Sequence, residues 1–239
     1  PTNLKLMNYL SSKFVSGRLS NKRLIKTIVM SNAYKRSSKF DKHNFEIDPD
    51  NIYFWRMNEK RLEAEQIRDS LLFVSGELDG SHKNISDFQT DIKNAGKELR
   101  SYISSTKSRS IYIPSLRDNK IEILDIFDRP DNSLLNAERS VTTVSTQALF
   151  LMNNDKIILL AEAEAKALVE RNKKMGKTMP DILYRNNVND VFLKFLGRPP
   201  TDEEIKKSIE FIKRDDNIQG NLAKFIQVII CTGEFRNVK

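Results

Sequence analysis

The sequence predicts an all-α, or nearly all-α, multi-helix fold, read as a single domain over residues 1–239. Three observations carry that prediction. Apolar residues recur at helical spacing, as in Ala64, Ile67, Leu71 and Val74 at i, i+3, i+7 and i+10. The chain has eight Gly and seven Pro, few for the many turns of a β-sandwich. Helix signals are explicit in the last third, where Gly197 and Pro199-Pro200 stop one helix and Thr201-x-x-Glu204 opens the next as a capping box. A hydrophobic share of 39% supplies a core, and a charged share of 30% a solvated surface.

The elements follow in order. Leu6, Met7, Leu10 and Phe14 form one helix face that Gly17 ends, and Ser20 caps a second with a stripe of Leu24, Ile25, Ile28 and Val29. The two make an αα-hairpin. Residues 35–51 are polar and close in Asp48-Pro49-Asp50-Asn51, a turn in which Pro fixes φ and Asp/Asn bond locally. Ile52-Tyr53-Phe54-Trp55 introduces a helix over 58–74, where Arg61, Glu65, Arg68 and Asp69 alternate in sign beside the apolar stripe until Ser75-Gly76.

Residues 80–106 read as an atypical inserted helical segment. Ile85, Phe88, Ile92, Ala95, Leu99 and Tyr102 alternate steps of three and four, a heptad seam for packing on the rest of the protein or on a partner. Gly96 weakens it by up to ~1 kcal/mol. The β-branched and aromatic run at 109–113, before Pro114, predicts a short extended segment. A short apolar element at 121–127 ends at Asp128-Arg129-Pro130-Asp131, and 132–144 are irregular. Ser145 caps a helix that Asn153-Asn154 breaks, and a long helix follows from Asp155 to about Lys174. Pro180 opens the next helix. Ile205, Ile209 and Ile212 face the core from the one after, and Leu222, Phe225, Ile226, Ile229 and Ile230 from the last, over 221–231.

Composition narrows the chemistry. No apolar run approaches the ~18 residues of a membrane span, and no signal-peptide pattern is visible. Cys231 is the sole cysteine and sits in an apolar run, so a buried core thiol is expected rather than a disulfide or Cys-based metal site. His43 and His82 stand apart in polar stretches, which gives no His-centred metal site. No G-x-S-x-G, G-x-G-x-x-G or P-loop is present, and no cofactor is expected in this chain. Residues 1–40 hold nine Lys/Arg and no acid, while the rest is close to charge balance. A basic end can meet nucleic acid, an anionic membrane or an acidic partner. Here the charges are spread along two amphipathic helices, with no reader motif, which argues against nucleic acid.

Two constellations could carry chemistry. Glu65 or Asp69 could act as general acid/base groups held by Arg61 and Arg68, or the four could be a structural ladder. Asp128 groups with Arg139, Thr142, Thr143, Gln147 and Asn153, as caps and buried hydrogen bonds or as a pocket for a polar ligand.

Five ordered segments resemble a known family: IDPDNIYFWRMNEKRLEAEQIRDSLLFVSGELD (47–79), RSIYIP (109–114), FDRPD (127–131), RSVTTVSTQALFLMN (139–153) and LYRNNVNDVFLKFLGRPPTDEEI (183–205). They are similar to the C-terminal domain of planctomycete-type cytochrome c proteins, a domain of unknown function. LIKTIVMSNAYKRSS (24–38) resembles the start of that module and TGEFRNV (232–238) its end. The resemblance nominates Arg56, Arg61, Glu65, Arg68, Asp69, Arg109, Asp128, Arg139, Thr142, Thr143, Gln147 and Asn153 as the polar signature. It implies a secreted or periplasmic bacterial protein, in whose full-length relatives a signal peptide, often a c-type haem segment, and a further domain precede this module.

The implied role is that of an accessory or interaction domain. It would pack on the upstream domain of the same polypeptide and shape an oxidoreductase or carbohydrate-related site. The alternatives are a hydrolase- or lyase-like enzyme using Glu65, Asp69 or Asp128, and a nucleic-acid binder through residues 1–40. Two departures stand out. The family's Gly-Gly-Pro stretch after the SGELD-like turn is replaced by 80–106, and Thr146 stands where Pro is common.

Overall fold

The computed structural model describes residues 2–81, 92–116, 120–131, 135, 139–174 and 180–238. Among them are eleven α-helices, two 3-10 turns and one two-residue strand pairing, so the protein is essentially all-α. The backbone divides into two compact units, Pro1–Arg61 with Asn237–Lys239, and Leu62–Arg236.

In the first unit α1 (Leu4–Ser16) and α2 (Asn21–Val29) form the expected hairpin. Asn3 and Ser20 accept the Leu6 and Arg23 N–H groups at 2.9 and 3.4 Å, capping each helix. Gly17 is required at the turn, since a Cβ there would lie 2.9 Å from the Lys13 carbonyl. Helix α3 (Lys42–Ile47) is capped by Asp41. Strand β1 (Lys60–Arg61) pairs antiparallel with β2 (Asn237–Val238).

The turn after α3 is held by a hydrogen-bond network. Asp48 accepts the Ile52 and Tyr53 N–H groups at 2.9 and 2.8 Å, and its carbonyl accepts the Trp55 indole N–H at 2.8 Å. Asn51 donates to the Arg56 carbonyl and to Asn58. Asp48 and Asn51 are buried, yet no apolar side chain of residues 2–61 is. Its helices keep their hydrophobic stripes, of which Leu10, Phe14, Leu24 and Val29 are half-buried and Leu6, Met7, Ile25 and Ile28 are exposed.

The second unit holds the core. Helix α4 (Ala64–Val74) buries Ala64, Ile67, Leu71 and Val74, the stripe expected from spacing. It packs on α6 (Glu122–Ile126) and on a 3-10 turn at Ser110–Tyr112. Helix α5 (Ile92–Ser105) lies between α4 and the 3-10 turn in sequence. The centre is the pairing of α8 (Asp155–Lys174) with α11 (Ile218–Cys231), flanked by α7 (Ser145–Asn153), α9 (Pro180–Leu196) and α10 (Asp202–Ile212). Fully buried Leu222, Ile226 and Ile230 of α11 meet Ile157, Ala161, Ala165 and Leu168 of α8 in one cluster. Leu and Ile side chains buried to this degree contribute roughly 1.5–3 kcal/mol each, and Ala less. The Thr201–Glu204 capping box is present.

Several expectations change. The helix expected over 58–74 begins at Ala64. Strand β1 takes Lys60 and Arg61, Leu62 N–H donates to the Arg236 carbonyl at 2.8 Å, and Glu63 becomes the N-cap. The extended segment expected at 109–113 is the 3-10 turn, because the Ser110 N–H and hydroxyl both turn to Asp69 at 2.8 and 2.7 Å. Val144 rather than Ser145 occupies the N-cap of α7. The last helix starts three residues earlier than read, capped by Asn217. Ile209 and Cys231 are half-buried rather than buried, and burial pushes the Cys231 thiol pKa up. Of the heptad seam, Ile85 and Phe88 lie outside the described residues, and Leu99 and Tyr102 are half-buried; Ile103, next to the seam, is buried. Among the described residues, no helix is long and apolar enough to cross a membrane.

Candidate functional site

Helix α4 turns its stripe to the core and its charges to a groove. Gln66 accepts the Glu63 N–H at 2.9 Å, which fixes the start of the helix and the place of Glu65 one residue into it. Residues 65, 68 and 69 then fall on one side by helical geometry.

Arg68 and Asp69 fix the neighbouring segment. The Arg68 guanidinium is 11% exposed and donates to the carbonyls of Thr106 and Ser108 and to the Ser110 hydroxyl. Asp69 lies 3.6 Å from Arg68 while accepting both Ser110 donors. Burial lowers the Arg68 pKa and Asp69 opposes that shift, so the side chain stays a cation. Together the two residues hold the 106–112 chain, which places Arg109 at the groove.

Arg139 reaches the other end of the ladder. Its Nη1 and Nη2 donate to the two Glu65 carboxylate oxygens at 2.7 and 3.2 Å, a fork, with Glu63 at 3.6 Å. Burial raises the Glu65 pKa, but the Arg139 bonds and charge outweigh it. The carboxyl titrates below the ordinary Glu range.

Asp128 works one layer away. It adopts a left-handed backbone, φ 68°, which Asp tolerates better than most residues. Its carboxylate accepts the Thr142 N–H at 2.9 Å and the Thr142 hydroxyl at 2.7 Å. Gln147, fully buried, donates to the Ile126 carbonyl at 3.0 Å and sits 3.4 Å from Asp128 and 3.3 Å from Thr142. These bonds pin the start of α7 to the end of α6. The two constellations therefore join through Arg139 and Glu65, with Asp128 bonded to Thr142 and Gln147.

The groove is about 600 Å³. Glu63, Glu65 and Asp69 line it from α4, Arg109 and Ser110 from the 3-10 turn, and Arg129 and Arg139 from the segments after α6. Ile111, Ile113, Leu124 and Pro130 give it apolar floor. Of the sequence candidates, the structure brings Glu65, Asp69, Arg109 and Arg139 to this one concavity, with Arg68 behind its wall. Asp128, Thr142 and Gln147 are not among the residues that line it. Thr143 and Asn153 are exposed. Arg61 lies in β1, and Arg56 stacks its guanidinium on Trp55 and Phe40, 5.0 and 5.7 Å from the ring centres.

Arg129, Ser110 and Glu63 were not singled out from sequence. Arg129 sits inside FDRPD, and Glu63-x-x-Gln66 is a capping pattern, so both signals were present. No cluster of three or more His, Cys, Asp or Glu with metal-holding geometry occurs among the described residues. As chemistry, an ionised Glu65 locked in an arginine fork is a poor proton donor, and Asp69 serves the backbone. The groove is equipped to hold polar groups in place.

Neither the curated proteins nor the solved structures give a match to the chain. A family model does, over residues 1–212, covering both the hairpin and the groove. Its description is "Protein of unknown function (DUF1553)", under the name PSD1, and the chain belongs to that family.

Proposed function

We propose that the chain is an accessory, interaction-mediating module of a periplasmic cytochrome c-type protein, and that its first unit docks on an upstream domain of the same polypeptide. The observation that carries this reading is the uncovered apolar surface of α1 and α2. Leu6, Met7, Ile25 and Ile28 of the two stripes are 38–58% exposed, and neither helix has a buried residue. Water-facing stripes of this size mark a surface that a partner covers. The flanking charge specifies that partner. Lys22, Arg23 and Lys26 stand exposed on α2, and no acid occurs in residues 1–40, so the complementary surface is apolar with an acidic rim.

On this reading the groove of the second unit helps shape an oxidoreductase or carbohydrate-related site. Its carboxylates serve recognition rather than proton transfer, because each already accepts a structural hydrogen bond or ion pair.

Co-expression of the chain with the upstream part tests the docking. A stable 1:1 complex is expected, weakened at least about tenfold when Lys22, Arg23 and Lys26 are all changed to Glu. If the two parts never associate, and the upstream part folds and works alone, the reading fails.

A further inference from the structure

Among the described residues, the α4 groove contains one cation whose side chain makes no polar contact within the fold. Arg109 is exposed, lines the groove, and makes no side-chain hydrogen bond or ion pair among the described residues. The other charged groups facing the groove are committed. Glu63 and Glu65 meet Arg139, and Asp69 meets Ser110 and Arg68. Arg129 is only partly matched. One Nη lies 3.2 Å from Asp125, while its buried Nε has no hydrogen-bond partner among the described residues.

Arginine's planar fork is suited to two oxygens of a carboxylate or phosphate. Beside Arg109 the wall changes character. Ile111 and Pro130 present apolar surface, and Glu63 and Gln66, whose oxygens already meet Arg139 and the Glu63 N–H, keep lone pairs that can accept from hydroxyls. Few polar groups over an apolar floor are the make-up of a small-molecule site.

We propose that this groove binds a hydroxylated small molecule bearing one oxyanion, with Arg109 gripping the oxyanion and the α4 start receiving the hydroxyls. Arg109 is held ready by the bonds of Arg68 and Asp69 to its neighbours, so little ordering is required on binding. The site lies wholly within Leu62–Arg236 and does not depend on the docking proposed for the first unit.

Calorimetric titration of the full chain with four probes tests this: glucuronate, glucose 6-phosphate, glucose and inorganic phosphate. Glucuronate or glucose 6-phosphate should bind at least about tenfold more tightly than glucose or phosphate alone, and whichever binds better identifies the oxyanion as carboxylate or phosphate. Arg109→Ala should abolish that preference, and Arg109→Lys should keep only part of it. Both variants should melt like the wild type, because the Arg109 side chain makes no hydrogen bond or ion pair among the described residues. Equal binding of glucose, equal binding of inorganic phosphate, unchanged binding in Arg109→Ala, or no binding of any probe at 50 mM (roughly −2 kcal/mol or weaker) would each overturn the proposal.

Discussion

Two arginines in the second unit each hold two glutamates, and they do different work. Arg198, after α9, spends all five of its donors. Nε and Nη2 reach Glu234 at 2.8 and 2.9 Å, Nη1 and Nη2 reach Glu204 at 2.9 and 2.7 Å, and Nη1 also reaches the Pro199 carbonyl. Its plane lies 5.2 Å over Phe192. Arg139 spends two donors on Glu65 and only approaches Glu63. Exposure does not separate them, at 35% and 41%. What separates them is saturation. Arg198 closes a junction among α9, α10 and the turn at Glu234–Arg236, whereas Arg139 stands on the wall of a groove.

Replacing Arg198 with Ala should break that contrast open most visibly. Two carboxylates and a helix cap lose their shared partner, and because five bonds are lost at once a loss of about 2–3 kcal/mol is expected after screening at a side chain that is 35% exposed. Urea unfolding measures it. A loss below about 1 kcal/mol would make Arg198 an ordinary surface pair.

Arg68→Ala comes next. Its guanidinium satisfies two carbonyls and a hydroxyl in the 106–110 chain, and about 2–3 kcal/mol should be lost. Hydrogen exchange should rise at Ser108 and Ser110 before it rises in α11. Uniform exchange would mean that Arg68 supports the core rather than the groove wall.

The acid limb gives a third, smaller effect. Arg198 bonds hold the Glu204 pKa down to about 2 from its ordinary 4.5, with the Thr201 bonds adding to the effect. A folded-state pKa below the unfolded one means stability that is complete above about 4.5 and fades as pH falls toward 2. Glu204→Gln should cost about 1–2 kcal/mol at pH 7, and the gap to wild type should close over that window. A gap that stays constant with pH would assign the effect to packing.

The same contrast separates what the sequence encodes locally from what it encodes at long range. The α4 stripe and the Thr201–Glu204 box were legible because both are local, set by spacings of three and four residues. The partners of Arg68 lie about 40 residues on, and Glu65 meets Arg139 across 74, so periodicity is silent about both. The resemblance put Arg68, Glu65 and Arg139 in one signature but said nothing of who bonds whom. Arg61 was misplaced onto the helix because its competitor, the backbone of Asn237, is far away in sequence. The stripes of α1 and α2 were read correctly as amphipathic, yet amphipathicity cannot tell a covered face from an open one. Glu63-x-x-Gln66 marks the true start of α4, a local signal that the longer charge pattern beginning at Arg61 overlaps.

Removing Arg139 is the mildest change and the one that sharpens the comparison. Arg139→Ala should cost only about 0.5–1 kcal/mol, since its ion pairs are solvent-screened and leave no buried charge behind. The local effect should be clearer than the global one. Arg139 outweighs the burial that raises the Glu65 pKa, so without it the carboxyl should titrate upward, toward or past the ordinary Glu value. Carboxyl-detected NMR titration reads that shift directly, and the Arg198 junction should not respond. A cost near that of Arg198→Ala would show that the groove wall and the helix junction are the same kind of structural staple. A small cost with a raised Glu65 would show a wall whose charges are set for a ligand rather than for the fold.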